Sequence, residues 1–248
     1  MKHYKDHLIT PQNITIMFTE GNPVIINRTD ARFDRALTAI RLRNYDLIPG
    51  MVDKPTQIKE HTQGKFTVHD GVVVIDGEEL PIELSDKLLE FVDEGLETRA
   101  LENYWNNLKR NPSETSKKDL FRFMRANKMP ITDSGCFVAY KKVDTNYYDF
   151  YTHKILNAPG KVIKFERKNV NSDREQLCSY GLHVAAYEYA NLHYHGGQGV
   201  LLEVEVNPKD VVAVPPDYHE QKMRVCRYRV LGLGTEEIKD LLYTRKKA

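Results

Sequence analysis

Cysteine is scarce in this chain: Cys136, Cys178 and Cys226 are the three among 248 residues, they form no CxxC pair, and any pairing scheme leaves one unmatched. A disulfide-stapled secreted scaffold is therefore not expected, and a reducing compartment is. Long apolar runs are missing too. None approaches the roughly 18–20 residues that a membrane span needs, and the opening segment from Lys2 to His7 is polar where a secretion signal is apolar, so neither insertion nor export is expected. There is no excess of charge, with 36 Lys and Arg against 35 Asp and Glu and a formal net charge of +1. Proteins that coat DNA rely on clustered positive charge, which this balance does not supply. The common enzyme signatures are absent as well: there is no Walker loop, no GxGxxG after a strand, no HExxH and no GxSxG elbow.

What remains has the composition of a globular protein, 41% hydrophobic and 29% charged, and is long enough for one large domain or two ordinary ones. A polar, proline-containing stretch at 110–118 suggests a division into an N-terminal α+β region, 1–112, and a C-terminal α+β domain, 113–248. The first carries 14 basic and 18 acidic side chains and the second 22 and 17, so the near-neutral total conceals an acidic half and a basic one.

In the first half, apolar runs at 14–19 and 23–26 flank Glu20-Gly21-Asn22 and predict a hairpin. Thr29 or Asp30 is placed to cap a helix whose Phe33, Leu37 and Ile40 share one face. A second hairpin is expected around His69-Asp70-Gly71. The spacing of Leu88, Leu89, Val92, Leu96, Leu101, Trp105 and Leu108 predicts one long helix over 85–108, with Ser85 as N-cap and an acidic outer face. In the second half a basic helix is expected at 116–128, ended by Pro130, then a strand at 136–140. An aromatic helix is expected from Ala185 to Tyr194, and strands at 200–206, 211–214 and 224–230. Helices are too few for repeated βαβ crossovers, so the fold class is α+β with mostly antiparallel sheets.

Chemistry concentrates between 136 and 230. Cys178 and His183 support thiol chemistry if the imidazole reaches the sulfur, and are otherwise an ordinary cysteine and a hydrogen-bonded core histidine. His193 and His195 stand at i, i+2 with no cysteine knuckle, so no metal is expected. Gly196-Gly197-Gln198-Gly199 precedes an apolar strand and reads as a tight turn more readily than as a phosphate cradle. Eight of the fourteen tyrosines fall within 140–194, interleaved at first with lysines. Cross-strand pairing accounts for them, and single-stranded nucleic-acid binding is the lower-ranked reading.

An ordered series of segments runs through this half: 135–143 (Gly-Cys-Phe-Val-Ala-Tyr-Lys-Lys-Val), Tyr148-Asp149, Pro159-Gly160, Arg167, Val170, 178–184 (Cys-Ser-Tyr-Gly-Leu-His-Val), 204–215 and 224–228. In this series the chain resembles the phage RIIB lysis-inhibitor family. The resemblance implies a phage accessory protein in the cytoplasm of an infected bacterium. It implies a role in lysis timing and resistance to host exclusion, with an RIIA-like partner and possible host defence components as targets. Membrane contact comes only peripherally, at the inner membrane through that partner, and nucleic acid is not an expected ligand. No catalytic residue is implied.

A second resemblance is to ADP-ribosyltransferases, through Gly181-Leu182-His183-Val184-Ala185, the aromatic helix and the 200–206 strand. Lys141 stands where that family presents His or Arg, and its late-strand Glu has no counterpart beside Arg224 or Arg227. This implies a degenerate form of that fold without transferase activity. No cofactor is expected, with NAD or another nucleotide as the alternative ligand of an enzyme or sensor. The residues expected to bind a ligand or partner are Tyr140, Lys141, Arg167, Cys178, Ser179, Gly181, His183, Arg224, Arg227 and Tyr228. The arginines otherwise pair with Glu203, Glu205 or Asp217.

Overall fold

The computed structural model describes residues 3–243 apart from 31, 53, 70–71, 128 and 217–220. The chain forms two compact units, Met1–Glu97 and Thr98–Ala248, and both helices and antiparallel sheets are present, an α+β architecture. The polar 110–118 stretch lies within the second unit.

The first unit begins with a meander of β1 (Tyr4–Ile9), β2 (Asn13–Phe18) and β3 (Val24–Asn27), all antiparallel. Strand β2 alternates as a half-buried strand should: Ile14, Ile16 and Phe18 enter the core. Helix α1 (Phe33–Arg41) and helix α2 (Ile48–Val52) complete that core with Phe33, Ala36, Ile40, Ile48 and Val52. Strand β1, with Lys5 and Asp6 inside it, shows too little apolar alternation to be recognised from sequence. Neither Thr29 nor Asp30 caps α1. Asp30 instead holds Arg32 through its backbone N–H and guanidinium, and Arg32 occupies the cap position.

Helix α3 (Lys54–His61) leads to β4 (Phe66–His69), β5 (Val72–Ile75) and β6 (Glu78–Glu79), a second small antiparallel sheet. Its expected turn residues Asp70 and Gly71 lie outside the described residues.

The single helix expected over 85–108 is two: α4 (Ile82–Asp93) and α5 (Arg99–Lys109), on either side of the division between units. Gly95 ends the first with φ 69°. The Leu96 N–H donates to Phe91 O at 2.8 Å and the Gly95 N–H to Val92 O at 3.2 Å, the paired bonds of a Schellman cap. Ser85 is not an N-cap either. Its hydroxyl lies inside the first turn and donates back to Pro81 O.

The second unit pairs α5 and α6 (Glu114–Asn127) with a large sheet. Helix α6 buries Leu120, Phe121, Phe123 and Met124. Its N-terminal approach is tied to the sheet by Asn111 Nδ2, which donates to Val211 O, and by Ser116 Oγ, which donates to Val212 O.

The strands of this sheet are β7 (Ile131–Thr132), β8 (Phe137–Val143), β9 (Val162–Lys164), β10 (Leu182–Ala185), β11 (Val200–Val206), β12 (Val211–Ala213), β13 (Lys222–Val225), β14 (Arg227–Leu233) and β15 (Leu242–Tyr243). Their main order is β12-β13-β10-β8-β11-β14-β9, with β7 joining β8 and β15 pairing with β7 in parallel. Two expectations are corrected here. The strand foreseen at 224–230 is broken at Cys226, whose N–H and C=O bond to Asp210 and Phe165 outside both strands, so β13 and β14 occupy separate places in the sheet. The helix foreseen from Ala185 to Tyr194 is a short π turn at Tyr189–His193, wider than an α-helical one, followed by a 3₁₀ turn.

Candidate functional site

Strand β8 is buried along its whole length. On one edge it pairs with β11 at every residue from Phe137 to Val143. On the other edge β10 joins it only at the Tyr140/Ala185 pair. Beyond that pair the strands part, and a cavity of about 440 Å³ opens at the split. Consecutive strand residues point to opposite faces, yet Tyr140, Lys141 and Lys142 all line this one space because the sheet is divided there.

Lys141 lies 9% exposed in the split. Its Nζ donates to His183 O at 3.0 Å, standing in for a ladder bond that β8 no longer makes, and sits 5.6 Å from the centre of the Tyr228 ring. That is its one hydrogen bond among the described residues. Burial lowers its pKa to about 8, with Asp149 pulling weakly the other way.

His183 is driven down to about 4, first by burial and then by the charges of Lys141, Arg224 and Lys222, so its imidazole is neutral at physiological pH. Burial pushes the Tyr194 hydroxyl up to about 12. The Tyr228 hydroxyl, also raised by burial, donates to Asn157 Oδ1.

Asp149 is the one carboxylate among the described cavity residues. Burial disfavours its charge, but backbone N–H groups of Thr152, Ile155 and Lys154, at 2.6, 2.8 and 3.2 Å, outweigh that and hold its pKa below the usual range. Its oxygens are occupied in shaping the 149–155 loop.

The cavity brings together Tyr140, Lys141, Cys178, Ser179, Gly181, His183 and Tyr228. Gly181 is required locally: at φ 153° a Cβ would fall 2.8 Å from Val170 Cγ1 and 3.3 Å from Arg224 Cδ. Cys178 is exposed, while Cys136 and Cys226 are buried.

The three arginines are not in the lining. Arg224, fully buried, donates Nε to Asn171 O, Nη1 to Gln176 O and Nη2 to Asp173 O at 2.9, 2.6 and 2.5 Å, and so pins the segment leading into 177–183. Arg174 in that segment adds an ion pair to the buried Asp119 of α6 at 2.5 Å. Arg167 donates to Lys209 O, Val211 O and Asn111 Oδ1. Arg227 is exposed and stands opposite Lys164 of β9. Backbone carbonyls accept from Arg167 and Arg224. Among the carboxylates foreseen as their partners, Glu203 and Glu205 accept from the hydroxyls of Tyr243 and Ser134, and Asp217 lies outside the described residues.

Several cavity residues were not among the expected binding residues, notably Asp149, Tyr151, Phe165 and Tyr194. Asp149 had a signal, since Asp followed three residues later by Thr is a loop-capping pattern. The aromatics had none beyond tyrosine enrichment. Around the opening Tyr151 is 87% exposed and Tyr180 63%, the latter stacked on Phe165 with ring centroids 5.4 Å apart.

A wider groove of about 1230 Å³ lies in the first unit, where Arg32 is held by Asp30 and Asp93 by Lys54. No helix among the described residues is long and apolar enough to cross a membrane.

A family profile described as Bacteriophage T4 protein rIIB matches residues 3–240. Protein rIIB of Enterobacteria phage T4 is 36% identical over 182 residues, which cover 73% of this chain and 58% of that relative. No solved structure matches the chain. With the profile extending across nearly every residue, this chain belongs to the bacteriophage T4 rIIB protein family.

Proposed function

We propose that this protein is a noncatalytic phage accessory factor that sets lysis timing and resists host exclusion together with an RIIA-like partner, acting in the cytoplasm of the infected bacterium and reaching the inner membrane only through that partner. The observation that carries the reading is family membership over residues 3–240. The site agrees with binding more than turnover: its carboxylate, Asp149, is engaged by three backbone N–H donors and is not free to act as a base or to face a developing cation.

The test is complementation. Supplied with the RIIA-like protein of its own phage, the chain should restore delayed lysis and growth on an excluding host to a T4 strain lacking Protein rIIB, and should co-purify with that partner. Unchanged early lysis with both proteins present and folded, and no co-purification, sinks the proposal.

A further inference from the structure

A buried ammonium with one hydrogen bond to a neutral carbonyl is incompletely compensated, because two of its three donors and most of its charge lack a partner. Among the described residues, Lys141 is in that condition. His183 is neutral and gives it only a backbone oxygen, Tyr228 gives it a ring face, and Asp149 has its oxygens turned to the 149–155 loop. The space beside it is open, about 440 Å³, within the range of small-ligand sites. At the mouth, Tyr151 and Tyr180 present exposed rings and Leu177 an exposed apolar side chain. A cation inside and aromatic surfaces outside are complementary to one molecule with an anionic end and a flat end.

We propose that the split between β8 and β10 is a binding site for a nucleotide, with its phosphate on Lys141 and its base against the Tyr180 and Tyr151 rings. The phosphate oxygens accept from the two donors of Lys141 that the described residues leave unused, and base stacking covers apolar surface now in water. Arg224 contributes at a distance, by pinning the 171–176 segment that carries Leu177 to Tyr180 into place. The site is independent of the lysis-timing role and can be present or absent whatever the outcome of complementation.

Cys178 supplies the readout, since it lines the cavity and is the exposed thiol of the three. The full chain is titrated with a mixture of nucleoside monophosphates, with the matching nucleosides and with inorganic phosphate, while calorimetry follows binding and N-ethylmaleimide follows Cys178. Monophosphates should bind saturably below about 1 mM and slow alkylation of Cys178 severalfold, with nucleosides and phosphate each at least about tenfold weaker. Lys141→Met should reduce nucleotide affinity about tenfold or more, and Tyr180→Ala, at an exposed position that leaves the core intact, about fivefold. Absence of saturable binding to the wild-type chain overturns the proposal, as does equal affinity in both variants. Phosphate or nucleoside binding as tightly as the monophosphate also overturns it.

Discussion

Lys141 carries a burial cost that its own surroundings do not fully offset. In the unfolded chain its ammonium is hydrated, and in the folded chain it is not, which lowers its pKa from 10.5 to about 8. Between those values the unfolded state binds the proton more tightly, so this group makes stability rise with pH across that window. Its penalty is fully present below about pH 8 and disappears towards 10.5. Asp149, Lys142, Lys222, His183, Tyr194 and Tyr228 share the cavity, and the fixed charge of Asp149 moves the lower edge of the window up. Lys141→Met keeps the aliphatic volume and deletes the charge. Without ligand it should therefore be more stable than the wild-type chain at pH 7, by on the order of 1–3 kcal/mol. The gain should shrink as pH rises towards 10, in urea denaturation measured over that range. A loss of stability at pH 7 would falsify this account of Lys141. The residue type at 141 was legible as a candidate from sequence. Its isolation was not, because it depends on where β10 leaves β8 and on which way the Asp149 oxygens turn.

Among the elements, the segment 171–176 has no ladder of its own and depends on two side chains from elsewhere, Arg224 of β13 and Asp119 of α6. Arg224→Met removes the buried guanidinium that donates to the carbonyls of Asn171, Asp173 and Gln176, and should cost on the order of 2–4 kcal/mol. Hydrogen exchange should quicken first within 171–177 and leave β8 and β11 protected. Uniform loss of protection across the sheet would show that the guanidinium supports the whole core instead. Local patterning disclosed most elements where apolar spacing and turn residues agree, as at β2, β3, α1, α6, β8 and β11. It failed where spacing continued across a stop. Leu88, Val92 and Leu96 stay in helical phase through Gly95, so periodicity reads one helix, although a glycine followed by an apolar residue is the signature of the cap that ends α4. It failed again at Cys226, where a run of interleaved arginines and apolar residues passes from one strand to another. Only the pairing partners reveal that change: Arg224 stands opposite His183, and Arg227 opposite Lys164.

At the scale of the molecule, the near-neutral charge divides along the two units. Residues 1–97 hold 11 basic and 17 acidic side chains and residues 98–248 hold 25 and 18, a sharper asymmetry than a division at 112 gives. Each unit has its own buried cores, and all three cysteines belong to the second. Expressed alone, 98–248 should therefore fold and keep the native thiol pattern, with Cys178 alkylated quickly and Cys136 and Cys226 protected until denaturant is added. Three equally fast thiols would show that the second unit needs the first. The second unit also has a long topological closure. Ile131 of β7 receives its parallel neighbour β15 about 110 residues downstream, a stretch the ribosome makes in roughly 5 to 20 s. During that interval β8 can gather β10 and β11, while the rim beside β7 is still bare. Synthesis thus imposes an order on assembly: the fork at Lys141 can take shape before its neighbouring edge is sealed. The nascent protein should accordingly pass through a stage in which an open strand edge is available to chaperones or to a second nascent chain.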